Sequence, residues 1–242
     1  MIPVIETRGL TKRFGPHTVL DGIDLTVSQG ESLVVIGGSG TGKSVLLRTI
    51  LGLETHDAGE IRLNGQVASA PVRATFMDDF GMLFQNAALF DSLPVWKNVA
   101  FRLVDRMPAP EARARAMDRL ARVGLGPDIA DRMPAELSGG RRKRVGLARA
   151  IAADPKVIFF DEPTTGLDPQ RAAAINALIR GVVDETGATA VTITHDMTSV
   201  RSIADRVAML AHGRLRWQGS VADMDAARDP VLRAFVEGQP AD

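Results

Sequence analysis

Eight consecutive residues, Gly37-Gly38-Ser39-Gly40-Thr41-Gly42-Lys43-Ser44, combine the side chains and the backbone freedom that hold a phosphate. Glycines let the chain wrap an anion with its N–H groups pointing inward, where Cβ atoms would obstruct the approach. Lys43 brings a full charge suited to β- and γ-phosphates, and the Ser44 hydroxyl is a ligand for Mg²⁺. The pattern G-x-x-x-x-G-K-[ST] gains weight from its surroundings. The apolar run Leu33-Val34-Val35-Ile36 before it reads as a strand, and Val45–Leu51 after it reads as a helix. A helix N-terminus at that point adds partial positive charge to the same spot. Gly37 through Val45 are therefore the expected nucleotide-phosphate contacts.

A phosphate loop of this kind needs a carboxylate on the metal side. Val157-Ile158-Phe159-Phe160 reads as a fully apolar strand, and it ends in Asp161-Glu162. Ligands of open α/β sheets bind beyond the carboxyl ends of the strands, where this acidic pair lies. Asp161 is expected to hold Mg²⁺, commonly through a bound water, and Glu162 to polarise the attacking water as general base.

The elements that position these residues follow from composition and periodicity. The chain has 242 residues, 29 Lys+Arg against 29 Asp+Glu, and neither Cys nor Tyr. That composition is globular, excludes disulfides and thiolate metal sites, and suits a reducing compartment. No apolar run approaches the ~20 residues of a membrane helix, and no secretory signal is visible at the start. Zero net charge argues against nucleic acid as a partner. Pro3–Arg8, Val19–Val27 and Ser32–Ile36 read as strands, and Ile61–Leu63 before Asn64-Gly65 as half of a hairpin. Pro94 to Arg149 is mostly helical, with Glu111–Val123 as one amphipathic helix carrying Ala116, Leu120 and Val123 on one side. From Lys156 onward, strands at Val157–Phe160, Thr189–Thr194, Val207–Leu210 and Leu215–Gln218 alternate with helices at Gln170–Glu185 and Met197–Ala204. Alternation of this kind implies a parallel sheet with crossover helices. Charge is uneven: between Glu111 and Arg149 stand ten basic residues against five acidic ones. Such a run is either a set of solvated helix faces or a surface that meets something anionic.

Further motifs decide between nucleotide-binding families. Leu137-Ser138-Gly139-Gly140 opens a basic helix, with Ser138 placed as its N-cap. Gln85 stands in Leu83-Phe84-Gln85-Asn86, Gly166-Leu167-Asp168-Pro169 follows the acidic pair, and His195 follows the strand at Thr189–Thr194. This order of phosphate loop, glutamine loop, L-S-G-G signature, acidic strand end, Asp loop and histidine resembles the nucleotide-binding domain of ABC transporters, from Thr11 to about Gly219. The resemblance implies an α/β P-loop NTPase core of ABC type, a parallel sheet with an antiparallel β subdomain, and an inserted α-helical subdomain. The single domain, 1–242, would place the core in 1–86 and 154–242, the insertion in 87–153 and a short helical tail in 220–242.

The resemblance also implies roles. Phe14 would stack on adenine, where the family commonly has Tyr. Gln85 would reach Mg²⁺ and the attacking water, and His195 the γ-phosphate. Ser138, Gly139 and Gly140 would act on ATP held by a second ATPase subunit, with Asp168 linking the two sites. Arg141 departs from the usual Gln after the signature and continues into Arg142-Lys143-Arg144. The stretches Met82–Leu93, Leu137–Arg144 and Asp229–Gly238 look like the ATPase of bacterial Mla/Mce phospholipid transport systems. That implies a peripheral protein at the cytoplasmic face of the inner membrane, working as a homodimer on membrane permeases with an MCE-domain lipid-binding protein. An ABC ATPase of another importer or exporter, for example for an amino acid, shares the catalytic residues. A soluble ABC ATPase acting on nucleic acid would usually carry long insertions that this chain lacks. An inactive scaffold is hard to reconcile with Lys43, Asp161, Glu162 and His195 together.

Overall fold

The computed structural model describes residues 2–238, so residues 239–242 of the expected tail lie outside the described residues. Contacts divide the chain into two compact units, one formed by residues up to Asp78 together with those from Thr189 onward, the other by Asp79–Ala188. The first unit opens with β1 (Ile5–Phe14), β2 (His17–Val27), β3 (Ser32–Ile36), α1 (Lys43–Leu51), β4 (Ala58–Leu63), β5 (Gln66–Val67) and α2 (Ala70–Asp78). The second comprises β6 (Phe80–Leu83), α3 (Val95–Val99), α4 (Ala109–Arg122), α5 (Gly139–Ala150), β7 (Val157–Asp161) and α6 (Pro169–Thr186). The first unit resumes with β8 (Thr189–Ile193), α7 (Met197–Ile203), β9 (Arg206–Ala211), β10 (Arg214–Ser220), α8 (Val221–Ala226) and α9 (Pro230–Val236). Among the described residues, no helix is long and apolar enough to cross a membrane.

In the first unit, β2, β1, β4 and β5 form an antiparallel sheet in that order. Leu20, Ile23, Leu25 and Val27 of β2 are buried while their neighbours are more exposed, the alternation of a sheet with one covered face. Asn64 and Gly65, at φ 50° and 78°, make the tight turn between β4 and β5 that this dipeptide favours. The other strands of the unit run in the order β10-β9-β3-β8, with β3 parallel to both β8 and β9. All five residues of β3 and all five of β8 are buried, which explains the apolar run Leu33–Ile36 in β3 and the apolar and β-branched composition of β8.

In the second unit, β6 runs parallel to β7 from Phe80 opposite Val157 to Leu83 opposite Phe160. Phe159 and Phe160 are fully buried, and the Phe80 and Phe159 rings lie 5.2 Å apart. Helix α5 comes close to β6 because Gly146 has no side chain. A Cβ there would lie 2.8 Å from Leu83 Cδ1 and 3.1 Å from the Ala87 Cβ. On α4, Ala112, Ala116 and Leu120 are buried, as its spacing requires. Its arginines are ion-paired, Arg113 with Asp131, Arg115 with Asp154 and Arg122 with Glu185 at the surface, and Arg119, which is buried, also with Asp154. The five arginines between 111 and 132 are thus all paired with carboxylates of the same unit, Arg132 with Asp128.

Candidate active site

The phosphate loop belongs to the first unit and links β3 to α1. Gly37, at φ 153°, passes so close to β9 that a Cβ would collide with the Leu210 carbonyl oxygen and lie 2.9 Å from Thr41 Oγ1. Gly42 takes the cap position of α1 at φ 101° and offers no side-chain acceptor, and the first turn holds no acidic residue. The opening N–H groups of α1 are therefore not capped by a side chain, the arrangement in which a helix start receives an anion. Lys43 is buried, and its ammonium donates to the carbonyls of Gly37 and Gly38, both at 2.8 Å. These bonds hold the charge within the loop. Ser44 is exposed and Val45 half-buried.

His195 follows β8, and β8 pairs directly with the strand that feeds the loop, Val35 lying opposite Ile193. The imidazole is exposed. Its neighbour Asp196 caps α7, accepting from the Thr198 N–H at 2.9 Å and from Ser199 Oγ at 2.6 Å. The histidine is thus carried on a rigid strand-to-helix corner beside the phosphate loop's own strand. Phe14 ends β1 with 44% of its surface exposed, and the Lys12 ammonium lies 4.8 Å from its ring centroid. An exposed aromatic face at a hairpin end can stack on a planar base.

In the second unit, β7 delivers Asp161 and Glu162, both half-buried. Glu162 has φ 47°, a left-handed conformation that costs a non-glycine residue about 1–3 kcal/mol. Its carbonyl accepts from the Thr165 N–H at 3.3 Å and from the Lys143 ammonium at 3.1 Å. Its carboxylate accepts from the Thr165 hydroxyl at 3.0 Å. Lys143 is buried, and burial pulls its ammonium below the ordinary lysine range, opposed by the charges of Glu162 and Asp161.

Ser138 caps α5 as its sequence context requires, its hydroxyl accepting from the Arg141 N–H at 3.4 Å. Asp168 caps α6 in the same way, accepting from the Arg171 N–H at 2.9 Å. Two cavities flank the start of α5. One, of about 290 Å³, is lined by Ser138, Gly140, Arg141, Arg144 and Arg171. The other, of about 470 Å³, brings Gln85 together with Gly139, Arg142, Lys143 and Thr165. The basic run is thereby divided by helical phase, Arg141 and Arg144 facing one cavity and Arg142 and Lys143 the other.

The structure also shows three residues the motifs did not single out: Lys143, Thr165 and Arg149. Lys143 had a legible signal, since it stands four residues before Leu147 and so shares the apolar face of α5. Thr165 and Arg149 act through backbone turns that no spacing announces.

A family model described as ABC transporter matches residues 20–165, from β2 through the phosphate loop and signature to the turn after Glu162. The chain belongs to the ABC transporter family. It is an ATPase, the ATP-binding subunit of a transporter. This ABC ATPase is 39% identical over 240 residues to the protein named "Probable ribonucleotide transport ATP-binding protein mkl" of Mycobacterium bovis, covering 97% of the chain and 67% of the relative. It is 43% identical over 245 residues to the methionine import ATP-binding protein MetN of Nocardia farcinica, covering 97% and 73%. The fold is similar to the dimeric ATP-binding cassette MJ0796 in a post-hydrolysis state with ADP and Pi, at a TM-score of 0.81 and 29% identity over 90% of this chain and 98% of that one. It is also similar to cbiO1 of Clostridium perfringens, part of the ABC transporter complex cbiONQ, at 0.84 and 28% over 97% and 95%. These cassettes agree with the α/β P-loop fold expected from the motifs.

Proposed function

We propose that this ABC ATPase powers phospholipid trafficking across a bacterial envelope in a system of Mla/Mce type, by closing as a dimer on ATP and reopening after hydrolysis. Lys43, held by the carbonyls of Gly37 and Gly38 at the uncapped start of α1, is the observation that carries the nucleotide half of this reading. The loop from Gly37 to Val45 binds the phosphates, and Phe14 stacks on adenine. Glu162 accepts the proton of the attacking water, its carboxylate oriented by Thr165. Gln85 orients that water, and His195 donates to the γ-phosphate.

Mg²⁺ fits the donor set. Ser44, Asp161 and Gln85 offer only oxygen ligands, which this ion prefers. Among the described residues no group of three or more His, Cys, Asp or Glu could hold a metal ion. When bound, it neutralises the charge on the phosphate oxygens.

The dimeric MJ0796 cassette supports a second copy as partner. Ser138, Gly139 and Gly140 then meet the γ-phosphate on that copy, with Asp168 beside them. A γ-phosphate that contacts two subunits binds the closed state better than the open one, and its loss reverses the preference. Peripheral attachment to the cytoplasmic face of the inner membrane, through permease subunits, follows from this role.

The cargo rests on the stretches Met82–Leu93, Leu137–Arg144 and Asp229–Gly238, which resemble Mla/Mce ATPases. MetN, at 43% identity, supports a second reading as an amino-acid importer subunit. Two experiments test the proposal. Glu162→Gln should bind MgATP, turn over slowly and accumulate as a closed dimer; normal turnover removes Glu162 from its role. Detergent pull-down should recover a permease with an MCE-domain protein, and recovery of an amino-acid permease instead would favour the second reading.

A further inference from the structure

We propose that Lys143 is a positioning residue for Glu162, fixing the backbone turn that aims the general base; this rests on the assignment of Glu162 made above. Lys143 is 6% exposed, whereas Arg141 and Arg142 beside it on α5 are exposed and Arg144 is half-buried. A lysine is not carried into a protein interior without a partner that compensates its lost hydration. Here one partner is the Glu162 main-chain carbonyl, 3.1 Å from the ammonium. That carbonyl belongs to a residue held at φ 47°, a conformation that persists only where surrounding contacts enforce it.

The turn is fixed from two sides. Thr165 bonds Glu162 locally, its N–H to the carbonyl at 3.3 Å and its hydroxyl to the carboxylate at 3.0 Å. Lys143 reaches the same carbonyl from a different element, nineteen residues earlier in the chain. A hydrogen bond from an ionised donor is shorter and stronger than a neutral one, and more so where water is excluded. Lys143 and Thr165 also line the cavity of about 470 Å³ that Gln85 and Gly139 share. The signature helix and the general base are therefore tied by one side chain within a single unit. A change in the tilt of α5 would be transmitted to the Glu162 backbone through this bond.

The test compares Lys143→Met, which keeps length without a donor, with Lys143→Gln, which restores a neutral donor. For the Met variant, kcat should fall at least tenfold while ATP affinity stays within twofold of the parent protein. The Gln variant should recover to within about threefold of the parent kcat. Lys143→Ser, polar but too short to reach the carbonyl, replaces the Met variant should that one fail to fold. Turnover within twofold of the parent in the donor-less variant overturns the proposal. So does a loss that follows ATP affinity, or equal slowness in the Gln and Met variants, which would assign the effect to charge. Glu162→Gln is measured alongside. Slow turnover there with a normal Met variant sinks the positioning role alone, whereas normal turnover in Glu162→Gln sinks the general-base assignment beneath it.

Discussion

Arg149 of α5 donates to the Ala87 carbonyl at 2.6 Å, and its second amino group reaches Ala88 at 2.7 Å. Ala87 and Ala88 have φ 59° and 44°, two successive left-handed residues with side chains, just after Gln85. Each such residue costs about 1–2 kcal/mol. The guanidinium, partly desolvated and lowered from its ordinary pKa by burial, offsets that strain with a two-pronged grip that a lysine cannot reproduce.

Removing the grip should free the glutamine loop. Arg149→Ala is expected to lower stability by about 2–3 kcal/mol, the worth of hydrogen bonds to a charged group. Amide exchange over 85–90 should quicken. Adding Ala88→Gly should restore about 1 kcal/mol by relieving the left-handed strain. Denaturant unfolding with hydrogen exchange checks both, and unchanged exchange over 85–90 would deny the clamp.

The phosphate loop makes a contrast between two glycines. Gly40 sits at φ 76° with open space around a hypothetical Cβ, whereas at Gly37 that atom would strike the Leu210 carbonyl. Gly40→Ala should cost about 1–2 kcal/mol for its backbone conformation alone. Gly37→Ala adds overpacking and should cost about 3 kcal/mol or more, with loss of ATP binding. Equal melting temperatures for the two variants would contradict this ordering.

Which parts of this were legible depends on the range of the interaction. Ser32–Ile36, Val157–Phe160 and Thr189–Thr194 were readable because parallel strands covered on both faces are rich in apolar and β-branched residues. The phosphate loop, the Asn64-Gly65 turn and the Ser138 cap were readable because local backbone chemistry dictates their residues. Strand β6 was not, since Phe80-Gly-Met-Leu is short and ambiguous in period and its pairing partner Val157–Phe160 lies far along the chain. Nor was α2, whose Ala70–Asp78 buries only Phe76 and so shows little amphipathic pattern. The contacts of Lys143 and Arg149 with Glu162 and Ala87 are long-range side-chain to backbone bonds, which leave no spacing to read.

His195 provides a separation of binding from chemistry. It follows β8, the strand that pairs with the phosphate loop's own, and so belongs to a different segment from the loop's backbone cradle. His195→Ala is expected to reduce kcat by ten- to hundredfold and to change ATP affinity by less than threefold. Steady-state kinetics with an equilibrium binding assay distinguish the two. A change confined to affinity would remove His195 from the γ-phosphate.

Asp229 gives a prediction for acid. Its carboxylate caps α9, accepting from the N–H groups of Val231 and Leu232 at 3.0 Å each, and pairs with Arg216 at 3.0 Å. The Leu232 bond chiefly, then Arg216, holds its pKa below the ordinary carboxylate range. A depressed folded-state pKa adds stability above the unfolded value of about 3.9, and the gain is lost as pH falls through the folded value. Asp229→Ala should therefore melt lower than the parent protein at pH 7, and the gap should shrink towards pH 3. A gap independent of pH would assign the effect to packing.

Phe90 tests the coupling to a permease. Its ring and that of Phe101 are 41% and 44% exposed, with centroids 4.3 Å apart, and Arg149 lies 5.9 Å from the Phe90 ring. The backbone beneath is anchored without the ring, since buried Asn98 accepts from the Phe90 N–H at 2.7 Å and donates to the Phe90 carbonyl at 3.1 Å. A charge placed on this patch should leave the fold intact while repelling an apolar partner helix. Phe90→Asp is expected to retain soluble ATPase activity within about twofold and to lose most transport by the assembled complex. The same patch touches Arg149, so the amide exchange of 85–90 must be shown unchanged in this variant. With that control in place, full transport by Phe90→Asp would mean that the permease docks elsewhere, and loss of soluble turnover would mean that the aromatic pair supports the glutamine loop instead.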